Sequence, residues 1–157
     1  MKTLITNEQV ISLAFGDGEY LSPEVILASD IVTAEHRYLL PVVGEKLYEA
    51  LLNGAYETLL EDFVAPALAM AVRGVVQPSL NVRTEQNGLY IPSSTRGDNA
   101  SRSATQSLHK SLRLRRQRLL KRLSDHLYLN RSLYKEYNAE CDILQNWSID
   151  GGFVQSI

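Results

Sequence analysis

Along most of this chain apolar residues recur three and four positions apart, the spacing of one face of an α-helix. "TNEQ" at Thr6–Gln9 is a capping-box pattern, so a helix is predicted to start there and to run to about Phe15, where "GDG" stops it. "SPE" at Ser22–Glu24 repeats the start signal, with Pro23 at a first helical position. The helix after it would carry Leu27, Ile31, Ala34 and Tyr38 on its inner face and end near Pro41. "GEKLYEALL" predicts a third helix, ended by Asn53-Gly54.

A fourth begins amphipathic at "AYETLLEDF" and becomes apolar on all sides, with a break or a fresh first turn at Pro66. From Pro66 to Val76 its only charge is Arg73, and Ala67, Ala69, Ala71 and Gly74 allow close approach. Such a helix belongs at the centre of a bundle or in an interface.

The period changes between residues 80 and 99. "NVRTEQNGLYIP" has short extended stretches around Asn87-Gly88, and "PSSTRGDNAS" reads as an exposed loop. We read this stretch as a short β-ribbon or extended arm, with Leu89, Tyr90 and Ile91 as exposed apolar contacts for strand addition. The last helix is expected from about Ala100 to Asn130, roughly 45 Å long. A tail, residues 141–157, carries Trp147, Ile149, Phe153 and Val154 around Gly151-Gly152 and is expected to dock. The pattern therefore predicts an all-α bundle of about five helices in a single domain spanning 1–157.

Charge sharpens this picture. Residues 1–72 hold eleven acids against three bases, and residues 73–157 hold thirteen bases against seven acids, nets of −8 and +6. Seven of those bases fall in "KSLRLRRQRLLKR", Lys110–Arg122, which contains no acid. Leu108, Leu112, Leu119 and Leu123 form one stripe of that helix. Lys110, Arg113, Arg118 and Lys121 lie opposite it, and Arg115 and Arg116 flank it. Three readings stand: a solvated face, pairing with the acidic first half in the same or a neighbouring copy, and contact with nucleic-acid phosphate. Arg113, Arg116, Arg118, Lys121 and Arg122 are the candidate interaction residues, and protein–protein pairing is preferred because the whole chain is net acidic.

Catalytic chemistry finds no motif. His36, His109 and His126 lie far apart without a metal-ligand pattern, and no nucleophile elbow or phosphate loop is present. Glu35 and His36 are adjacent and diverge on a helix; Asp150 reads as a turn residue. The lone Cys141 reads as a bystander thiol. No metal, cofactor, signal peptide or membrane span is expected.

The opening "MKTLITNEQVISLAF", the pair "SPEVI…AEHRYLLPVVGEKLYEALL", the helix ending "HLYLNRSLYKEYN" and the closing "SIDGGFVQ" resemble a family of uncharacterised prophage proteins of Bacteroides-like bacteria. That family in turn is similar to head–tail connector (adaptor) proteins of tailed phages. The resemblance implies a virion structural protein, not an enzyme: a ring-forming homo-oligomer that docks portal and tail proteins, with DNA passing through its channel. It would be made in the bacterial cytoplasm and end in the virion. The alternative is a small nucleic-acid-binding protein using residues 110–122.

Overall fold

The computed structural model describes residues 2–16, 19, 21–81, 83–85, 88–90, 102–150 and 153–156. The architecture is all-α. Helix α1 is Asn7–Ala14, and its capping box forms as the spacing requires: Thr6 Oγ1 accepts from the Gln9 N–H and Gln9 Oε1 from the Thr6 N–H. The "SPE" signal yields only one 3₁₀ turn, Pro23–Val25, after which Ile26 is extended. Helix α2, Ala28–Ala34, starts later than the sequence predicts, with Asp30 accepting from the Leu27 N–H across its first turn. Leu27 therefore lies outside the helix and is 59% exposed instead of joining the inner stripe.

Helix α2 does not stop before Pro41. It passes through a π-helical turn, Glu35–Leu39, into α3, Leu40–Val43, and ends at Gly44, whose φ of 77° favours glycine. After α4, Glu45–Leu52, and α5, Glu57–Leu59, the same device recurs. A second π turn, Leu60–Val64, leads into α6, Ala65–Asn81. In each case the residue just before the proline makes the wide bond: Leu40 N–H to Glu35 O, and Ala65 N–H to Leu60 O. A proline inside a helix lacks its own N–H, and its ring crowds the carbonyl four residues back. A wider turn immediately upstream absorbs that conflict without breaking the rod. Pro66 thus marks neither a break nor a fresh start.

Helix α6 continues past Pro78 to Asn81, beyond the point where the sequence pattern changes. Between residues 80 and 99 the other described backbone is a three-residue antiparallel ladder, Arg83–Glu85 with Gly88–Tyr90. Gly88 pairs with Glu85 in that ladder rather than standing in the turn. Helix α7, Arg102–Leu129, is 28 residues and so about 42 Å long. In the tail, Trp147–Asp150 pairs antiparallel with Phe153–Ser156.

Helix α6 is the centre: α1, α2 and α7 all pack on it. Ala67–Val72 are all buried, as expected for a helix apolar on every side. Around it close Ile31, Leu39, Leu47, Leu59, Leu123 and Leu127.

Two buried carboxylates tie the ends of the chain to this core. Glu35 Oε1 accepts from the Leu4 N–H (2.8 Å) and Oε2 from the Tyr48 hydroxyl (2.8 Å). Asp142 Oδ2 accepts from Ser124 and Tyr137 (both 2.7 Å), and Oδ1 from the Leu144 N–H (2.8 Å). Burial, then the neighbouring carboxylate, pushes the Tyr48 and Tyr137 phenols well above their ordinary range. Because the folded state holds these protons more tightly, their contribution is complete below the unfolded tyrosine value, about 10. It is lost as pH rises above that towards the folded values. The urea midpoint is therefore expected to fall above about pH 10, and Tyr137→Phe to shrink that alkaline loss.

Candidate interaction surface

Helix α7 sorts its residues by face. Leu112, Leu120, Leu123 and Leu127 are buried and Leu108 and Leu119 half-buried. The stripe read from the sequence packs against the core, with Leu120 and Leu127 buried beside it although the sequence reading did not include them. Lys110, Arg113, Arg115, Arg118, Lys121 and Arg122 are exposed.

The five candidate cations do not act alike. Arg116 is half-buried, with its guanidinium 4.0 Å over the Tyr38 ring. A Cβ on Gly74 would stand 3.3 Å from its Nη1, so the glycine keeps open the slot it occupies. Arg122 lies 4.8 Å over the Phe63 ring, against which His126 also stacks at 3.9 Å. Lys121 pairs with Asp125 one turn on (2.8 Å), and that bond holds the Asp125 carboxyl below its usual range. Both partners are about half exposed, so the pair adds little stability.

Arg113 and Arg118, with Lys110 and Arg115 beside them, have no carboxylate in ion-pairing distance among the described residues. Pairing of the basic run with the acidic first half therefore does not occur within one copy there. The ion pair that does join the two halves uses Arg73, outside the run. Its Nη1 and Nη2 meet Glu19 Oε2 and Oε1 at 2.9 and 2.5 Å, Nη1 also donates to Ala14 O, and the guanidinium covers Phe15. Burial opposes ionisation of Glu19, but the Gly16 N–H and Arg73 outweigh it and hold that carboxyl below its usual range.

The outer face of α7 also exposes apolar residues. Leu114 and Leu129 border an open groove floored by Phe63 and rimmed by Arg118, Lys121 and Arg122. Leu129 is 80% exposed. Of the remaining candidates, Leu89 and Tyr90 contribute backbone to the short ladder, and Ile91 lies outside the described residues.

The histidines stay apart. His36 meets Tyr48 edge-on, His109 lines a cleft beside Lys110 and Arg113, and His126 Nε2 is 3.0 Å from the Tyr134 hydroxyl. Among the described residues no group of three histidine, cysteine or acidic side chains gathers to hold a metal ion. Among them, too, no helix is long and apolar enough to cross a membrane.

Sequence reasoning passed over Tyr38 and Phe63 as seats for arginine, and Glu35 and Asp142 as buried anchors. Glu35 did carry a signal: it stands four residues from both Ile31 and Leu39, on the buried stripe. Tyr38 carried none, since its partner Arg116 is remote in sequence.

A family model described as a family of unknown function (DUF6712) matches residues 34–144. No curated protein and no solved structure matches the chain.

Proposed function

This chain belongs to the DUF6712 family, and from its surfaces and its sequence resemblance we propose that it is a virion structural protein, a head–tail connector subunit that self-associates and docks portal or tail proteins. The observation that carries this reading is the outer face of α7. It combines exposed Leu114 and Leu129 with cations that no carboxylate of the described chain neutralises. A rigid helix about 42 Å long presents that face as one continuous strip. Exposed apolar side chains beside unpaired charge of one sign suit an interface with an acidic partner. Its place would be the bacterial cytoplasm during assembly and then the virion.

The second reading, nucleic-acid binding by residues 110–122, is favoured by the same unpaired cations. Salt separates the two. Duplex binding through six or more phosphates loses about 10³-fold or more between 50 and 200 mM salt. The test measures solution mass, with and without a portal protein of the same genome, and duplex affinity at about 0.1 M salt. Wild type is compared with Arg113→Ser/Arg115→Ser/Arg118→Ser. This triple change spares Arg116, whose removal would disturb the Tyr38–Gly74 slot. We expect weak duplex binding in both proteins, and loss of self-association or portal docking in the variant. Micromolar or tighter duplex binding that the triple change abolishes would overturn the connector reading in favour of the second.

A further inference from the structure

The cations of α7 do not all face open water. Gln106, His109, Lys110, Arg113 and Arg116 recur at steps of three and four, so they share one face of that helix. That face borders a cleft of about 450 Å³, which Gly74 of α6 also lines.

Arg116 is the fixed member of the set. It is half-buried, its guanidinium lies 4.0 Å over the Tyr38 ring, and a Cβ on Gly74 would stand 3.3 Å from its Nη1. The ring attracts the charge but offers no lone pair to the N–H donors. Among the described residues no carboxylate lines the cleft or stands within ion-pairing distance of Lys110, Arg113 or Arg116. Three cations and an imidazole therefore border one space without a counter-charge. Like charges gathered in a cleft repel one another, and an anion among them offsets that repulsion.

The donors decide which anion fits. Each arginine offers a planar fork of N–H groups and Lys110 three more, with those of His109 and Gln106 beside them. A carboxylate has two oxygens and one charge to set against them. A phosphate monoester presents three terminal oxygens and a charge of about −1.5 to −2 at pH 7, so it engages more of these donors at once. Each phosphate of a nucleic-acid backbone carries a single charge. The volume of the cleft also falls in the range of small-molecule sites, about 300–1,000 Å³, which leaves room for the group that bears the phosphate.

We infer that the cleft of Gly74, Lys110, Arg113 and Arg116 binds a phosphate dianion, either free or as the terminal group of a small molecule. Arg116 is already seated and needs little reordering on binding, while exposed Lys110 and Arg113 supply the remaining charge. All of these residues come from one copy, so the site does not depend on the assembly proposed above.

The test titrates the full-length protein with inorganic phosphate and with phenyl phosphate, by calorimetry at about 0.1 M salt. Malonate, a dicarboxylate of matching charge, is the control ligand. Lys110→Ser/Arg113→Ser is compared with Arg115→Ser/Arg118→Ser, which removes the same charge from exposed positions that do not line the cleft. Gly74→Leu fills the cleft and removes no charge. Circular dichroism checks the fold of each; Lys110 and Arg113 are exposed, so the test stands on them should Gly74→Leu not fold.

Both phosphate probes are expected to bind wild type. Lys110→Ser/Arg113→Ser and Gly74→Leu should each weaken that binding about tenfold or more, and Arg115→Ser/Arg118→Ser by about twofold at most. Tighter binding of phenyl phosphate would identify the ligand as a phosphorylated small molecule, and equal binding as phosphate itself. Equal losses in the two double variants would reveal attraction by diffuse charge alone and overturn the inference. Malonate bound as tightly as phosphate, or neither phosphate probe bound by wild type, would overturn it too. Duplex DNA that binds in the micromolar range and displaces phenyl phosphate would give the cleft to nucleic acid instead.

Discussion

Met70→Asp is expected to lower the stability of the fold by about 4 kcal/mol, the cost of an unpaired carboxylate in an apolar interior. Met70 is 1% exposed near the middle of α6, among Leu68, Ala69, Ala71 and Val72, which are all buried. No cation of the described chain stands ready to receive the charge: Arg73, one turn on, is already engaged by Glu19 and Ala14 O. The side chain cannot reach water without opening the contact of α6 with its neighbours. Since small domains are stable by about 5–15 kcal/mol, a large share of the fold's stability goes with this one change. The check is a urea titration beside Met70→Leu, which keeps the volume and should cost under about 1.5 kcal/mol. A midpoint for the aspartate variant within error of the leucine variant would contradict the central place of α6.

Removing the Glu35 side chain is the second large effect. Glu35→Ala leaves the Leu4 N–H and the Tyr48 hydroxyl without their acceptor at a fully buried site. Each orphaned donor costs about 1–3 kcal/mol, offset in part because a buried charge has gone as well. The net expectation is a loss of about 3 kcal/mol. Glu35→Gln should fall between, since one amide oxygen replaces two carboxylate oxygens and its NH₂ meets a donor.

Two readouts are specific to this bond. Amide exchange at Leu4 should quicken, because that N–H has lost its partner. The Tyr48 phenol should ionise at lower pH, because burial then raises its pKa without help from Glu35. Unchanged exchange at Leu4 would show that Glu35 does not tether the start of the chain.

The interaction surface was legible only in part. The absence of acids from Lys110 to Arg122 was plain, and so was the leucine stripe, because both are properties of a single helix. Which cations stay available was not. Arg116 and Arg122 rest on Tyr38 and Phe63, Lys121 on Asp125, and only Arg113 and Arg118 of the five remain outward and unpaired. The spacing of Arg122 and Arg118 differs in nothing that would have foretold this. Their difference lies in what the π-turned rod carrying Phe63 brings alongside.

What the sequence by itself determined is local. Thr6 and Gln9 cap α1, Gly44 and Gly54 take up positive φ at helix ends, and the run from Pro66 to Val76 is central because every face of it is apolar. Each of these follows from neighbours within a few positions, through a hydrogen bond, a dihedral or a period. Tertiary structure decided the rest. Pro41 and Pro66 stay inside continuous rods through the wide turns that precede them, where the local pattern equally allowed a break. Glu35 and Asp142 turned inward because hydroxyls and amides distant in sequence arrive to satisfy them. Arg116 turned onto Tyr38 because Gly74 leaves it room. The free energy of a charged side chain depends on whether water, a ring or an opposite charge lies within a few ångströms, and that is known only once the chain has folded.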